Sequence, residues 1–426
     1  MIRRIKGTQD ILPDETPRWV ALENLIRKMM GRYNFHELRT PIFEQTQLFA
    51  RGIGQLTDIV SKEMYTFLDR GKKQLTLKPE MTAPIMRAYI ENKLYAKAPL
   101  NKLFYIAPLF RQENPQAGRL RQFHQFGAET LGTADPLADA EMIDLAWSIF
   151  KEIGLSDLTL RLNSVGDPNC RADYKSKLQD YIRPNLSQYC ADCQRRFDEN
   201  PLRILDCKNP TCQALNRNAP KLADNLCDDC RAHYDALKEQ LTRLNIPFVE
   251  DPYLVRGLDY YTRTVFEITS NTLGAQNAIC GGGRYDLLAG ELDGPDTPAV
   301  GFAAGMERLL MVMEQQGIRL AEKARLDVFL APLGDAARRE AIAWLHKIRA
   351  LGISAETDFL GRSIKAQMRE ANRQKARIVL ILGENEWQKQ EFTVKLMDKG
   401  EQISIPFASV TDFLKTETAK VKTKDC

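Results

Sequence analysis

The chain has 426 residues, of which 60 are Lys or Arg and 56 are Asp or Glu, giving a formal net charge of +4. That length exceeds what one hydrophobic core usually supports, and 44% hydrophobic residues are enough to fill two or three. The near balance of charge excludes a global field for holding polyanions, so nucleic acid would have to be met by local patches. No apolar run is long enough for a membrane span or a signal peptide, so a cytoplasmic protein with no membrane partner is expected.

Taken in chain order, Thr16 before Pro17 reads as an N-cap, and Trp19, Leu22, Ile26, Met29 and Tyr33 then recur at helical spacing. Strand-like runs follow at "KQLTLKPE", "NKLFYIAPLFRQE" and "RQFHQFGAETL". Asp135 with Pro136 starts a second helix carrying Met142, Leu145, Ile149 and Ile153 on one face, stopped by Gly154 and followed by the short strand "LTLRLNS". An antiparallel sheet with helices packed on it is the α+β class this pattern predicts. From about residue 170 to 250 the composition shifts to cysteines, prolines and short charged helices, after which strands resume at "TRTVFEITS" and "AICGGGRYD". Residues 171–250 therefore read as an insertion between residues 1–170 and 251–322 of one domain. "DVFLAPLG", the helix "AARREAIAWLHKIRALG" and the buried-strand run "ARIVLILG" place a separate α/β domain at 327–426, with a lysine-rich tail expected to fray.

Strand periodicity makes one run chemically informative. It sends Arg121, Phe123, Gln125, Gly127 and Glu129 to one face, and Arg111 goes with Glu113 in the same way. Core sheet faces are apolar, so such a row must line a wet site, a ligand site or an interface; the glycine inside the strand invites close approach of a ligand. Small residues in "TPAVGFAAGMERLL" lead into a helix with Glu307 and Arg308 near its start, and "CGGGRYD" combines unusual backbone freedom with Arg284 and Tyr285. Glu80 and Thr82 in "KPEMTAP" read as ordinary turn residues. Only four histidines occur, none at a paired metal spacing, and there is neither a P-loop nor a nucleophile elbow. Arginine-dominated chemistry suits phosphoryl or nucleotidyl transfer, where positioning and charge stabilisation supply most of the acceleration.

Six of the nine cysteines, Cys190, Cys193, Cys207, Cys212, Cys227 and Cys230, cluster in the insertion. The outer pairs have C-x-x-C spacing, compatible with zinc or with a set of reduced thiols packing a small insert, and spacing alone assigns no metal. In the C-terminal part Lys365, Arg369 and Arg373 recur every four residues along a predicted helix, a stripe fit for phosphates or an ordinary solvated face.

Five ordered segments together resemble a bacterial histidyl-tRNA synthetase of class II along nearly the whole chain. "RTPIFEQTQLF", "FRQENPQAGRLRQFHQFGAE" and "AVGFAAGMERLL" are similar to the three class motifs, and "LVRGLDYY" and "GGGRYD" to the two signatures of the histidine enzymes. The resemblance implies a six-stranded antiparallel catalytic sheet, a homodimer built partly through the first motif around Pro41, and a C-terminal anticodon-binding domain. It further implies ATP bound with Mg2+, Arg111 on the α-phosphate, Glu113 and Phe123 on adenine, and Arg119 and Arg308 on the γ-phosphate. Glu80, Thr82 and Gln125 would surround the ammonium group of L-histidine, Glu129 and Tyr261 would bond its imidazole, and Tyr260 and Tyr285 would complete the pocket. Arg256 and Arg111 would stabilise the transition state of histidyl-adenylate formation. Asn114 and Gln116 would meet the acceptor end of histidine tRNA, with Asn114 standing where many relatives carry arginine, and the Lys365 stripe would face the same tRNA. A catalytically silent histidine-sensing subunit is the rival reading, and the retained arginines and the extra domain weigh against it.

Overall fold

The computed structural model describes residues 2–54, 57, 59–116, 118–272, 277–321 and 325–422. The chain forms two compact units, residues 1–321 and 322–426. Eleven strands occur among the described residues of the first: β1 (His36–Glu37), β2 (Phe43–Gln45), β3 (Tyr65–Leu68), β4 (Gln74–Leu77), β5 (Asn101–Phe110), β6 (Gln122–Leu131), β7 (Leu158–Ser164), β8 (Phe248–Glu250), β9 (Thr262–Ser270), β10 (Ala278–Arg284) and β11 (Ala299–Gly305).

Eight of them form one sheet in the order β1-β5-β6-β11-β10-β9-β7-β8. The six central strands are mutually antiparallel, as expected, and the sheet is extended at each edge by a short parallel strand, β1 on β5 and β8 on β7. Strands β2, β4 and β3 make a separate three-stranded sheet. The first helix, Thr16–Arg32, buries Trp19, Leu22, Ile26 and Met29 on its apolar face. Its start differs from expectation: Glu15 is the N-cap, and the Thr16 hydroxyl donates back to the Leu12 carbonyl at 3.0 Å instead of capping. Tyr33 lies just past the helix and donates its hydroxyl to Asp144 at 2.7 Å. The helix Pro136–Ile153 follows its sequence signals closely. Asp135 accepts from the Leu137 N–H, Gly154 adopts φ +93°, and Met142, Leu145, Ile149 and Ile153 are buried.

Residues 168–243 are a chain of short helices, the longest being Pro168–Ile182 and Asp228–Arg243. They share one continuous apolar core with the sheet. His233 of the last helix lies 3.2 Å from Asp139, whose other oxygen meets the fully buried Arg284 at 2.5 Å. Arg284 of "GGGRYD" is thus a structural residue that ties the sheet to both helices.

In the second unit β12 (Val328–Pro332), β13 (Ala355–Thr357), β14 (Ile378–Leu382), β15 (Glu391–Leu396) and β16 (Glu401–Pro406) form a sheet in the order β13-β12-β14-β15-β16. The first three are parallel and the last two antiparallel. The helix Phe407–Lys422 runs into the lysine-rich tail expected to fray, and residues 423–426 lie outside the described part.

Candidate active site

The row read from β6 does not form one continuous surface: Gln125 lines a pocket, Phe123 lies beside Arg111, and Arg121 donates to the Glu113 carbonyl at 3.3 Å. Gln125 helps to line a pocket of about 500 Å³ together with Glu80, Thr82, Tyr105, Arg111, Arg256, Tyr260, Tyr261 and Tyr285. A larger hollow of about 770 Å³ lies elsewhere, lined by Glu44, Leu48, Arg51 and Arg87. It holds none of the tyrosines and neither Arg111 nor Arg256, so the chemistry belongs to the smaller one.

Glu129 sits behind the lining of the smaller pocket. It is 1% exposed, accepts from the Thr82 hydroxyl at 3.1 Å and accepts a short hydrogen bond from the Tyr285 hydroxyl. Burial pushes its carboxyl up to about 8, with Glu80 adding to the rise and the Tyr285 and Thr82 hydroxyls opposing it. Gly301 of β11, opposite Glu129 in register, is what makes room, because a Cβ there would overlap the Glu129 carboxylate. Glu80 is also buried, and its two oxygens accept the N–H groups of Thr82 and Ala83 at 2.8 and 2.9 Å, satisfying the start of the helix Thr82–Glu91. Even so, burial holds its carboxyl above the usual range.

Tyr260 packs on Tyr261 and on Tyr285, with ring centroids 4.8 and 5.5 Å apart, and burial pushes the Tyr261 phenol up to about 12. Tyr105 of β5 was absent from the residues expected here. It faces Gly127 in register, and its ring occupies the space a side chain at 127 would take, so the strand glycine serves Tyr105 and not, as expected, the approach of a ligand. Its hydroxyl is buried without a hydrogen-bond partner among the described residues, between carboxylates and aromatics that can host one more polar group. A tyrosine inside "NKLFYIAPLF" reads as core, and only its pairing with Gly127 signals otherwise.

Arg256 meets Glu267 of β9 at 2.5 Å and lies close against Gly281, where a Cβ would fall 2.0 Å from its guanidinium. Glu267 was missed as well; a lone acid flanked by apolar residues in "TVFEITS" was the available signal. The loop carrying Arg256 is held from the helical stretch 168–243. Arg203 donates to the Arg256 carbonyl at 2.8 Å, Asn200 to Asp259 at 2.7 Å, and Arg171 to the Tyr261 carbonyl.

Arg111 donates to the Pro79 carbonyl at 2.9 Å and lies 5.3 Å from the centre of the Phe123 ring. Glu113 approaches Arg111 at 3.7 Å and Arg119 at 3.3 Å. Arg308 donates to the carbonyls of Gly118 and Ala278 at 3.0 and 2.9 Å. Burial, then the positive charge of Arg119, and also that of Arg111, hold the Arg308 guanidinium below its usual range, against Glu113. A site that brings three guanidinium groups together is shaped for a polyanion. Glu307, beside Arg308, accepts from the backbone N–H of His124 at 2.9 Å and lies 2.9 Å from its ring Nδ1, which fixes the third motif against β6. Asn114 and Gln116 are exposed on the loop beyond β5, where Gln116 and Arg119 exchange backbone hydrogen bonds of 3.1 and 2.9 Å.

In the second unit Lys365, Arg369 and Arg373 are exposed on the helix Ile364–Arg373, as their spacing predicts, but Arg373 is bound to Glu370. The exposed Phe359 and Leu360 precede that helix.

A six-stranded antiparallel core with a motif-two arginine, an aromatic and an acid on one strand pair, and a second arginine at a helix start, defines the catalytic unit of a class II aminoacyl-tRNA synthetase. Family models described as "Histidyl-tRNA synthetase" and "Anticodon binding domain" match residues 7–309 and 327–417. The chain belongs to the histidyl-tRNA synthetase family. It is 49% identical over 415 residues to a histidine–tRNA ligase of Desulforamulus reducens, covering 97% of this chain and 99% of the relative. It is 50% identical over 410 residues to that of Moorella thermoacetica, covering 96% and 97%. The apo histidyl-tRNA synthetase of S. aureus superimposes with a TM-score of 0.83 at 40% identity, covering 97% of this chain and 100% of that one. A structure from Bacillus halodurans titled as an ATP phosphoribosyltransferase regulatory subunit/histidyl-tRNA synthetase shares the fold at 22% identity, with a TM-score of 0.63 over 90% of this chain and 98% of that one.

Proposed function

We propose that the chain is a histidine–tRNA ligase that activates L-histidine with ATP and transfers it to the 3′ end of histidine tRNA. The observation that carries this reading is a buried carboxylate, Glu129, braced by Thr82 and Tyr285 at the back of a pocket whose lining includes Arg111 and Arg256. A planar, two-nitrogen ring with one N–H to donate fits the back, and a reacting carboxylate fits the cationic side.

In this reading Glu129 and Tyr261 bond the imidazole, Tyr285 and Tyr260 close around it, and Glu80, Thr82 and Gln125 receive the ammonium group. The adenine stacks on Phe123 with Glu113 at its amino group, and Arg119 and Arg308 hold the γ-phosphate. The histidine carboxylate oxygen attacks the α-phosphorus, the bond to the β-phosphate oxygen breaks, and pyrophosphate leaves; Arg111 and Arg256 stabilise charge on the equatorial oxygens without proton transfer. Mg2+ would neutralise the phosphates of the incoming ATP.

Residues 1–170 and 251–322 would carry activation, with 171–250 inserted, and residues 327–426 tRNA recognition. Asn114 and Gln116 would meet the acceptor end; Lys365, Arg369 and Arg373 would meet phosphates, with Phe359 offering an exposed ring to an unstacked base. A cytoplasmic homodimer completes the proposal. Its support is the sheet of β2, β4 and β3, which leaves Ile42, Phe43, Phe67 and Leu68 exposed beside Pro41.

The test is ATP–pyrophosphate exchange measured with each amino acid in turn. Exchange with histidine alone is expected; exchange with several amino acids, or with none, overturns the reading.

A further inference from the structure

The cysteines of the insertion do not pair as their spacing suggests. The two outer C-x-x-C pairs belong to different clusters. The Sγ atoms of Cys190, Cys193, Cys207 and Cys212 all lie within 4.8 Å of one another, and so do donor atoms of Asp167, Cys170, Cys227 and Cys230. Asp167 and Cys170 stand outside the stretch that drew attention in the sequence. We propose that these are two structural metal sites of the zinc type, one with four thiolates and one with three thiolates and a carboxylate.

The geometry favours ligands over packed thiols or disulfides. Metal–sulfur bonds of about 2.3 Å in a tetrahedron place sulfurs about 3.8 Å apart, and a disulfide would need about 2.05 Å. Cys190 Sγ lies 3.8 Å from Cys207 Sγ. Thiols that merely pack have no reason to converge four at a time, and a carboxylate among three of them is a poor apolar neighbour.

The same local device recurs. Cys190 and Cys227 are the N-caps of the helices Ala191–Glu199 and Asp228–Arg243, with Cys193 and Cys230 three residues on; Asp167 and Cys170 stand in the same relation on Pro168–Ile182. Cys212 follows the N-cap Asn209 by three residues on the helix Pro210–Asn216. Helix starts present N–H groups and partial positive charge toward the sulfur atoms. Backbone N–H groups already donate to sulfur, Cys190 to Cys212 Sγ and Asp167 to Cys170 Sγ, both at 3.3 Å. Gly166, at φ +63°, leaves room that a Cβ would take, 2.6 Å from Cys170 Sγ. Asp167 uses Oδ1 for its helix cap, accepting at 3.0 and 3.2 Å, which leaves Oδ2 for an ion.

The sites also answer a stability problem. The helices Ala191–Glu199, Leu202–Leu205 and Pro210–Asn216 are too short to persist unaided, and the four-thiolate site ties all three together. The second site clasps the chain where it leaves β7 to the helix by which it returns.

The test uses the full-length chain, purified without chelators and kept reduced. Elemental analysis should find about two zinc ions per chain, and cobalt-loaded protein should show thiolate charge-transfer and tetrahedral bands. Cys212→Ser should remove one ion and Cys230→Ser the other. Asp167→Asn keeps the helix cap, yet should weaken the second site roughly tenfold or more against a competing chelator while sparing the first. A folded wild-type chain carrying less than about half an ion, or disulfides linking these residues, overturns both sites. One ion per chain, lost with Cys212→Ser and indifferent to Cys230→Ser, overturns the second, and wild-type affinity in Asp167→Asn overturns that aspartate as a ligand. The wild-type count and the cobalt spectrum stand even if a variant fails to fold, and neither depends on the amino acid the enzyme activates.

Discussion

At the scale of single residues, Glu129 links the pocket to pH. Burial pushes its carboxyl up to about 8, while an unfolded glutamate titrates at about 4.3. Between those values the folded chain holds a proton the unfolded chain has lost, so Glu129 lowers stability progressively as pH rises through that window. Glu129→Gln should remove this slope from denaturation curves. For binding, free imidazole titrates near about 6.5. Above about 8 the carboxylate is ionised and a neutral imidazole already carries the N–H it accepts, so no proton moves on binding. Below about 8 the carboxyl must first release its proton, so histidine affinity should be flat on the alkaline side and fall as pH drops through that value. Glu129→Gln should weaken binding by about 1–3 kcal/mol and remove the fall between about 8 and about 6.5; calorimetry across pH decides, and an unchanged fall would remove Glu129 from the imidazole. Arg256 supports a different expectation. Arg256→Ala should slow adenylate formation on the order of a hundredfold to a thousandfold in pre-steady-state assays, with a smaller effect on histidine affinity. Gly281→Ala should approach that defect without touching the arginine, because its Cβ would displace the guanidinium. Normal activation by Gly281→Ala would show that the close placement of Arg256 against Gly281 is not required.

At the scale of elements, strands were legible where two residue types alternated. "LTLRLNS" and "TRTVFEITS" coincide with β7 and β9, and of the polar row read on β6 Gln125 lines the pocket. What stayed hidden depends on neighbours distant in sequence. Tyr105 matters because it faces Gly127, Glu267 because it faces Gly281 under Arg256, and the cysteines because helix starts sort them into clusters that spacing cannot anticipate. Thr16 misled because a hydroxyl can also bond backward to a carbonyl. The small sheet of β2, β4 and β3 carries the element-scale prediction. Phe43 and Phe67 touch edge to face at 6.4 Å on an exposed apolar surface. Phe43→Glu with Leu68→Glu should convert a dimer to monomers in sedimentation experiments, and a mass unchanged from wild type would move the interface elsewhere.

At the scale of the whole molecule, the second unit has its own core around Trp344, Leu345, Phe392 and Val394. Residues 325–426 should therefore fold alone with a cooperative melt. A chain ending at residue 321 should retain histidine-dependent exchange and lose most charging, and equal loss of both would show that activation needs the second unit. Phe359→Ala in the full chain should lower charging and leave exchange alone.

The parallel pairing of β7 with β8 sets what can be cut away. Strands running side by side in one direction cannot be joined by a hairpin; the chain must travel back along their length. The helix Asp228–Arg243 is that return leg, pinned through His233 to Asp139. It belongs to the scaffold, and the detachable part ends before it. The ends of that part already meet, with Cys227 Sγ 3.9 Å from Asp167 Oδ1, so a turn of a few residues would close the gap. The fold thus carries its own splice point. A chain shortened there would keep the sheet while losing Arg203 and Asn200 from behind the Arg256 loop, and a single deletion would separate folding from catalysis.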